Sequence, residues 1–154
     1  MTPRTLIFLG LFGAFMLMAI VSRVTELSFC GNTYSIPNGC EAKSKHKVDC
    51  GEYNMSWSYV DGKMLNYMAE DAAQELERSS YKSTRENISC FLKDTEVNAF
   101  KITTFVNGEI EACQIIAYGI VNEYPVLVQL SVAGEIKTNE SIPETMRRMI
   151  RLTK

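Results

Sequence analysis

The sequence has one histidine, His46, no cysteine pair at metal-binding spacing, no excess of basic residues and, beyond residue 22, no long apolar run. Each shortage closes a class of function. A zinc centre needs close cysteine pairs or cysteine and histidine at short intervals; Cys30, Cys40 and Cys50 instead stand ten positions apart. A cysteine nucleophile needs an imidazole partner, and His46 lies in a polar stretch with no second catalytic group beside it. Nucleic-acid binding needs a basic field to neutralise phosphates; here 16 Lys+Arg face 18 Asp+Glu, for a net charge of −2. There is no G-x-S-x-G, no H-E-x-x-H, no glycine-rich phosphate loop and no EF-hand loop. The expectation is a protein that is not an enzyme and uses no metal or cofactor.

What is present begins with export. Residues 5–22 read TLIFLGLFGAFMLMAIVS, without a charge, after Arg4 and before Arg23. A short positive start followed by an apolar segment is the pattern of a secretory signal, and an uncleaved run would serve as a membrane anchor. Cys30 in LSFC has a lipobox-like setting, but Phe29 stands where a small residue is needed. Residues 1–22 are therefore read as a signal peptide or inner-membrane anchor, and 23–154 as one exported domain. The leader holds Arg4 and no acid, so the rest of the chain has 15 basic against 18 acidic residues, or −3. Its hydrophobic content, 46% over the full chain, is that of a globular protein rather than a disordered one.

Outside the cytoplasm, cysteines are read first as disulfides. EAKSKHKVD, between Cys40 and Cys50, suits a hairpin tip, and a Cys40–Cys50 bridge would staple the hairpin at its base. Five cysteines leave at least one of Cys30, Cys90 and Cys113 unpaired. The KSKHK cluster reads as a solvated loop tip.

Alternation predicts strands over 33–37 and 53–60, the second placing Trp57 and Tyr59 on one face. From Lys63 to Arg78 a helix is expected, with Leu65, Met68, Ala72 and Leu76 as its buried stripe and Ala69 on the flank. Residues 88–133 read as four strands. Asn107-Gly108 is a two-residue hairpin signal that sets Ile102 opposite Cys113 and Phe100 opposite Ile115. A turn near Asn122-Glu123 sets Ile115 opposite Leu130 and Ala117 opposite Val128. Both registers place Phe100, Ile102, Cys113, Ile115, Ala117, Val126, Val128, Leu130 and Val132 on one core face. The chain closes on an expected helix, with Ser141 and Glu144 as a capping box, Ile142, Met146, Met149 and Ile150 buried, and Arg147, Arg148 and Arg151 favoured by the helix dipole. The fold class is thus α+β: an antiparallel β-meander packed by two helices, in the order β-β-α-β-β-β-β-α, after an N-terminal hydrophobic leader. Asn54, Asn87 and Asn139 each open an N-x-S sequence, a pattern common enough by chance to carry little weight.

That layout over residues 33–152, with Tyr34-Ser35-Ile36-Pro37-Asn38-Gly39, resembles the PsbP-like domains of small exported bacterial proteins. Cys40 departs from the aromatic that often follows the motif. The resemblance implies an accessory or binding role at the outer face of the inner membrane and carries no catalytic residue with it. The residues themselves nominate Glu70, Asp71, Glu75 and Glu77, off the helix stripe, as a partner-binding face for another protein with a basic contact surface. The immunity proteins that neutralise secreted toxins are a concrete example of such a class. The alternative is an apolar-ligand or lipid-binding accessory protein, with Met64, Met68, Met146 and Met149 lining its pocket.

Overall fold

A computed structural model describes residues 24–153. It comprises β1 (Glu26–Phe29), β2 (Asn32–Ser35), β3 (Glu41–Ser44), β4 (Lys47–Asp49), β5 (Tyr53–Tyr59), α1 (Leu65–Ser79), β6 (Ser83–Leu92), β7 (Thr95–Val106), β8 (Glu109–Val121), β9 (Tyr124–Ala133), a 3₁₀ turn (Asn139–Ser141), α2 (Glu144–Met149) and β10 (Ile150–Leu152). Eight strands form one curled antiparallel sheet in the order β10-β6-β7-β8-β9-β5-β4-β3, and β1 and β2 form a separate hairpin. The α+β class and the four-strand meander expected from alternation are both present, with the first strand of the meander starting at Ser83 rather than 88. The strand count was underestimated because β1, β3, β4 and β10 have only three or four residues each, too few for period-two alternation to register.

Of the two hairpin registers, the second holds as expected: Ile115 pairs with Leu130 and Ala117 with Val128. The first does not. Asn107 and Gly108 form the turn with positive φ at both residues, and Phe105 pairs with Ile110, but the next pair is Thr104 with Ala112. Glu111 is an extra residue on β8, its carbonyl accepting a hydrogen bond from the Gly134 N–H at 2.8 Å. A bulge of one residue reverses which side chains share a face beyond it. Phe100 therefore lies opposite Ile116, and Ile102 opposite Gln114. The single apolar face read from the sequence becomes two.

On the inner face, Cys113, Ile115, Ala117, Val126, Val128, Leu130 and Val132 join Leu27 and Phe29 of the β1–β2 hairpin, Trp57, and Ile142, Met146, Met149 and Ile150 from the closing segment. Trp57 and Phe29 meet edge to face, centroids 5.4 Å apart, and the Trp57 indole N–H donates to the Ser28 carbonyl at 2.8 Å. On the outer face, Phe100, Ile102, Ile116 and Leu127 pack under Leu65, Ala69 and Ala73 of α1.

The stripe of α1 is rotated from its expected position. Ala69 and Ala73 are fully buried and Met68 is exposed, because small residues let the helix sit close to the sheet while Met68 turns outward. Asp61 feeds the helix start by accepting the Lys63 N–H on its side chain, and the Ser79 and Ser80 hydroxyls donate to the Leu76 carbonyl at its end.

The expected terminal helix is cut short. Ile150-Arg151-Leu152 pairs with Cys90–Leu92 as β10, since an edge of β6 offers those residues a ladder. The expected capping box does not form: the Ser141 hydroxyl donates to the Thr138 carbonyl and accepts from the Tyr53 hydroxyl, and Pro143 precedes α2 without a side-chain cap.

Candidate functional site

Cys40 and Cys50 form the expected disulfide, Cα atoms 4.2 Å apart, across the base of the β3–β4 hairpin. Such a bond belongs in a non-reducing compartment. Cys30, Cys90 and Cys113 are free and buried. Burial pushes the Cys90 thiol up to about 12 and that of Cys30 to about 11, and it raises Cys113 too. Burial thus disfavours at all three the thiolate, the form that attacks or binds metal. The expected leader, residues 5–22, lies outside the described residues; among those described, no helix is long and apolar enough to cross a membrane.

His46 is exposed at the hairpin tip with its ring 5.9 Å from Trp57 and 5.6 Å from Tyr59. Its contacts are aromatic, and the Tyr59 hydroxyl is occupied in accepting the Cys30 N–H at 2.8 Å. Among the described residues no group of three or more His, Cys, Asp and Glu is placed to hold a metal.

The four carboxylates nominated on α1 divide into two pairs. Glu70 and Glu77 face the sheet, where Arg85 of β6 receives them. The guanidinium donates to both Glu70 oxygens, at 2.7 and 2.5 Å, and stands 3.6 Å from Glu77. Arg85 also lies over the Phe100 ring, 3.9 Å from its centroid, so the cation is held by charge on one side and a π-face on the other. Hydrogen bonds from Arg85 and Gln74 hold the Glu70 carboxyl down to about 2. This is a clamp that ties α1 to β6, and it withdraws two of the four carboxylates from a uniform acidic surface.

Asp71 and Glu75 remain exposed, and neither forms an ion pair among the described residues. On the same outward side of α1 stand Met64, Tyr67 and Met68, at 45%, 64% and 38% exposure. Sequence reasoning gave Met64 and Met68 to a pocket and left Tyr67 out. The available signal was the interval 64, 67, 68, 71, 75, which repeats at helical spacing as a second stripe beside the buried one.

The methionines do not come together. Met146 and Met149 are fully buried on the inner face, whereas Met64 and Met68 are exposed on the helix that covers the outer one. Of the three N-x-S asparagines, Asn139 is engaged through its side chain with the Leu152 backbone, Asn54 is half-buried and Asn87 is exposed on β6.

No family model, no curated protein and no solved structure matches this chain.

Proposed function

We propose that this chain is an exported, non-catalytic protein-binding protein, periplasmic or held at the inner membrane through residues 5–22, that docks a basic partner with the outward face of α1. A toxin-neutralising immunity protein is the concrete form this reading takes. The observation that carries it is the composition of that face. Tyr67, Met64 and Met68 offer apolar and aromatic contact area of the kind enriched at protein interfaces, flanked by Asp71 and Glu75, whose carboxylates form no ion pair among the described residues. Apolar contact supplies affinity, while exposed carboxylates steer a basic partner and fix its orientation. The inner face holds the fold, and the Arg85 clamp fixes α1 on the sheet, so the docking side chains stand on a rigid element. The Cys40–Cys50 bond supports an oxidising compartment, and the resemblance of the sequence to PsbP-like domains agrees with such an accessory role.

The test separates the two halves of the face. Wild type, Tyr67→Ala and Asp71→Lys/Glu75→Lys are immobilised and exposed to secretions of producer cells. The expected result is capture of one basic protein by wild type, with Tyr67→Ala releasing it faster and the charge reversal slowing its association. Equal capture by all three proteins, or none by folded wild type, would refute the reading.

A further inference from the structure

A second surface, on a different part of the molecule from α1, concentrates the opposite charge. Tyr34 of β2, Lys93 and Asp94 of the β6–β7 turn, Glu144, Arg147 and Arg148 of α2, and Arg151 of β10 line a cleft of about 550 Å³. Four cations against two carboxylates leave an excess of two positive charges, on a chain whose net charge is −2. The two carboxylates are already engaged: Glu144 accepts from Arg148 at 2.9 Å, and Asp94 accepts from Arg151 at 3.4 Å. Arg147 is half-buried and Lys93 is half-buried, and neither has an ion-pair partner among the described residues.

The helix dipole accounts for a cation in the last turn of α2, but α2 has six residues, and Lys93 and Arg151 belong to other elements. What brings them together is backbone. The Lys93 N–H donates to the Met149 carbonyl at 2.8 Å, the Arg151 guanidinium donates to the Lys93 carbonyl at 3.2 Å, and β10 pairs with β6 immediately beside the turn. The elements that carry the cations are thus held together before any ligand arrives. Unpaired charges brought partly out of water cost stability unless a counter-charge meets them.

We infer that this cleft binds a phosphate monoester, with Arg147 and Lys93 as its ligating cations and the Tyr34 hydroxyl, which has no hydrogen-bond partner among the described residues, as an added donor. The excess of two positive charges matches a phosphate dianion, and a guanidinium fork suits its oxygens. The volume accommodates more than bare phosphate, so the phosphate is carried by a small molecule or by a lipid headgroup at a membrane surface. The site is independent of α1 and of any protein partner there.

The experiment titrates the folded full chain in a mild detergent with glycerol 3-phosphate by calorimetry at low salt, and separately measures its co-sedimentation with phosphatidylcholine vesicles containing phosphatidic acid. Either probe should bind saturably, with affinity falling as salt rises. Arg147→Gln and Lys93→Gln should each weaken binding by about tenfold, the loss of one charge-assisted hydrogen bond. Glu144→Gln should tighten it, because it frees Arg148 and removes a negative charge; this gain of affinity tests the site even where a loss variant is unstable. Binding of the soluble probe assigns a soluble phosphorylated ligand, and binding of the vesicles alone assigns a lipid headgroup. No binding of either probe, or binding indifferent to all three substitutions, would overturn the inference.

Discussion

The two faces of the eight-stranded sheet are closed in different ways. The inner face is filled by the β1–β2 hairpin and by the segment from Ile136 to Ile150, and its cluster holds twenty-three buried side chains among the described residues. The outer face is covered by one helix over a cluster of seven. Because hydrophobic stabilisation scales with apolar area removed from water, the inner cluster carries most of the stability. The outer helix is held by a smaller contact and by a charged clamp, which leaves Met64, Tyr67 and Met68 exposed. The difference shows a division of labour: one face makes the fold, and the other displays a surface.

The largest expected effect probes that division within one strand. Leu130 points to the inner face and is fully buried, while Leu127 points to the outer face under α1. Leu130→Ala should cost about 3–5 kcal/mol because the enclosed site cannot collapse, and Leu127→Ala about 2 kcal/mol because α1 can settle into the space. Urea denaturation of the two variants measures both losses, and equal values would erase the distinction between the faces.

Next comes the disulfide, whose two cysteines pack against the inner cluster. Replacing Cys40 and Cys50 by serine should lower stability by about 2–3 kcal/mol, the entropic value of a short closed loop. Thermal melts with and without reductant check this, and a melting temperature indifferent to reductant would show that the hairpin needs no staple. Gly119 sharpens the picture of inner-face packing density, since a Cβ placed there would stand 2.4 Å from Val97 Cγ1. Gly119→Ala should cost about 2 kcal/mol through overpacking, and Val97→Ala should recover part of that loss in a double-mutant cycle.

The smallest effect belongs to the outer clamp. The Glu70 carboxyl lies near 2 in the folded protein against 4.5 for an unperturbed one. A depressed carboxylate stabilises the fold at pH above its unfolded value, and that contribution drains away as pH falls from about 4.5 towards 2. Glu70 is 43% exposed, so solvent screening limits the whole contribution to about 1 kcal/mol. Arg85→Met should remove this acid-sensitive component, seen as a flatter stability profile between pH 5 and about 2. A profile identical to wild type would leave the clamp without an energetic role.

How far the sequence reached can be followed along β7 and β8. Asn107-Gly108 announced the hairpin, and the Asn122-Glu123 turn set the β8–β9 register that the fold adopts. Glu111 announced nothing. It is an ordinary polar residue in a strand, and its extra position became visible only when Gly134 and β9 were placed beside it. The same holds at the nominated acidic face. Helical spacing separated Glu70, Asp71, Glu75 and Glu77 from the apolar stripe, but Arg85, which takes Glu70 and Glu77, lies on another element and has no local pattern tying it to α1. The hairpin staple was legible because ten residues and a polar tip bring Cys40 and Cys50 together by local geometry alone.

By itself, then, the sequence determined what depends on near neighbours: the meander with its two turns, the helix that forms over Leu65–Ser79 and the Cys40–Cys50 pairing. Periodicity, turn residues and short loops act within a few positions, and the chain satisfies them wherever it folds. Tertiary structure decided what depends on residues distant in the chain. It set the bulge that divides one apolar face into two and turned Ile150–Leu152 into an edge strand by offering it β6. It also gathered Lys93, Arg147, Arg148 and Arg151 into one cleft. These outcomes follow from which backbone edge or counter-charge happens to stand opposite, and that is a property of the packed chain rather than of any window along it.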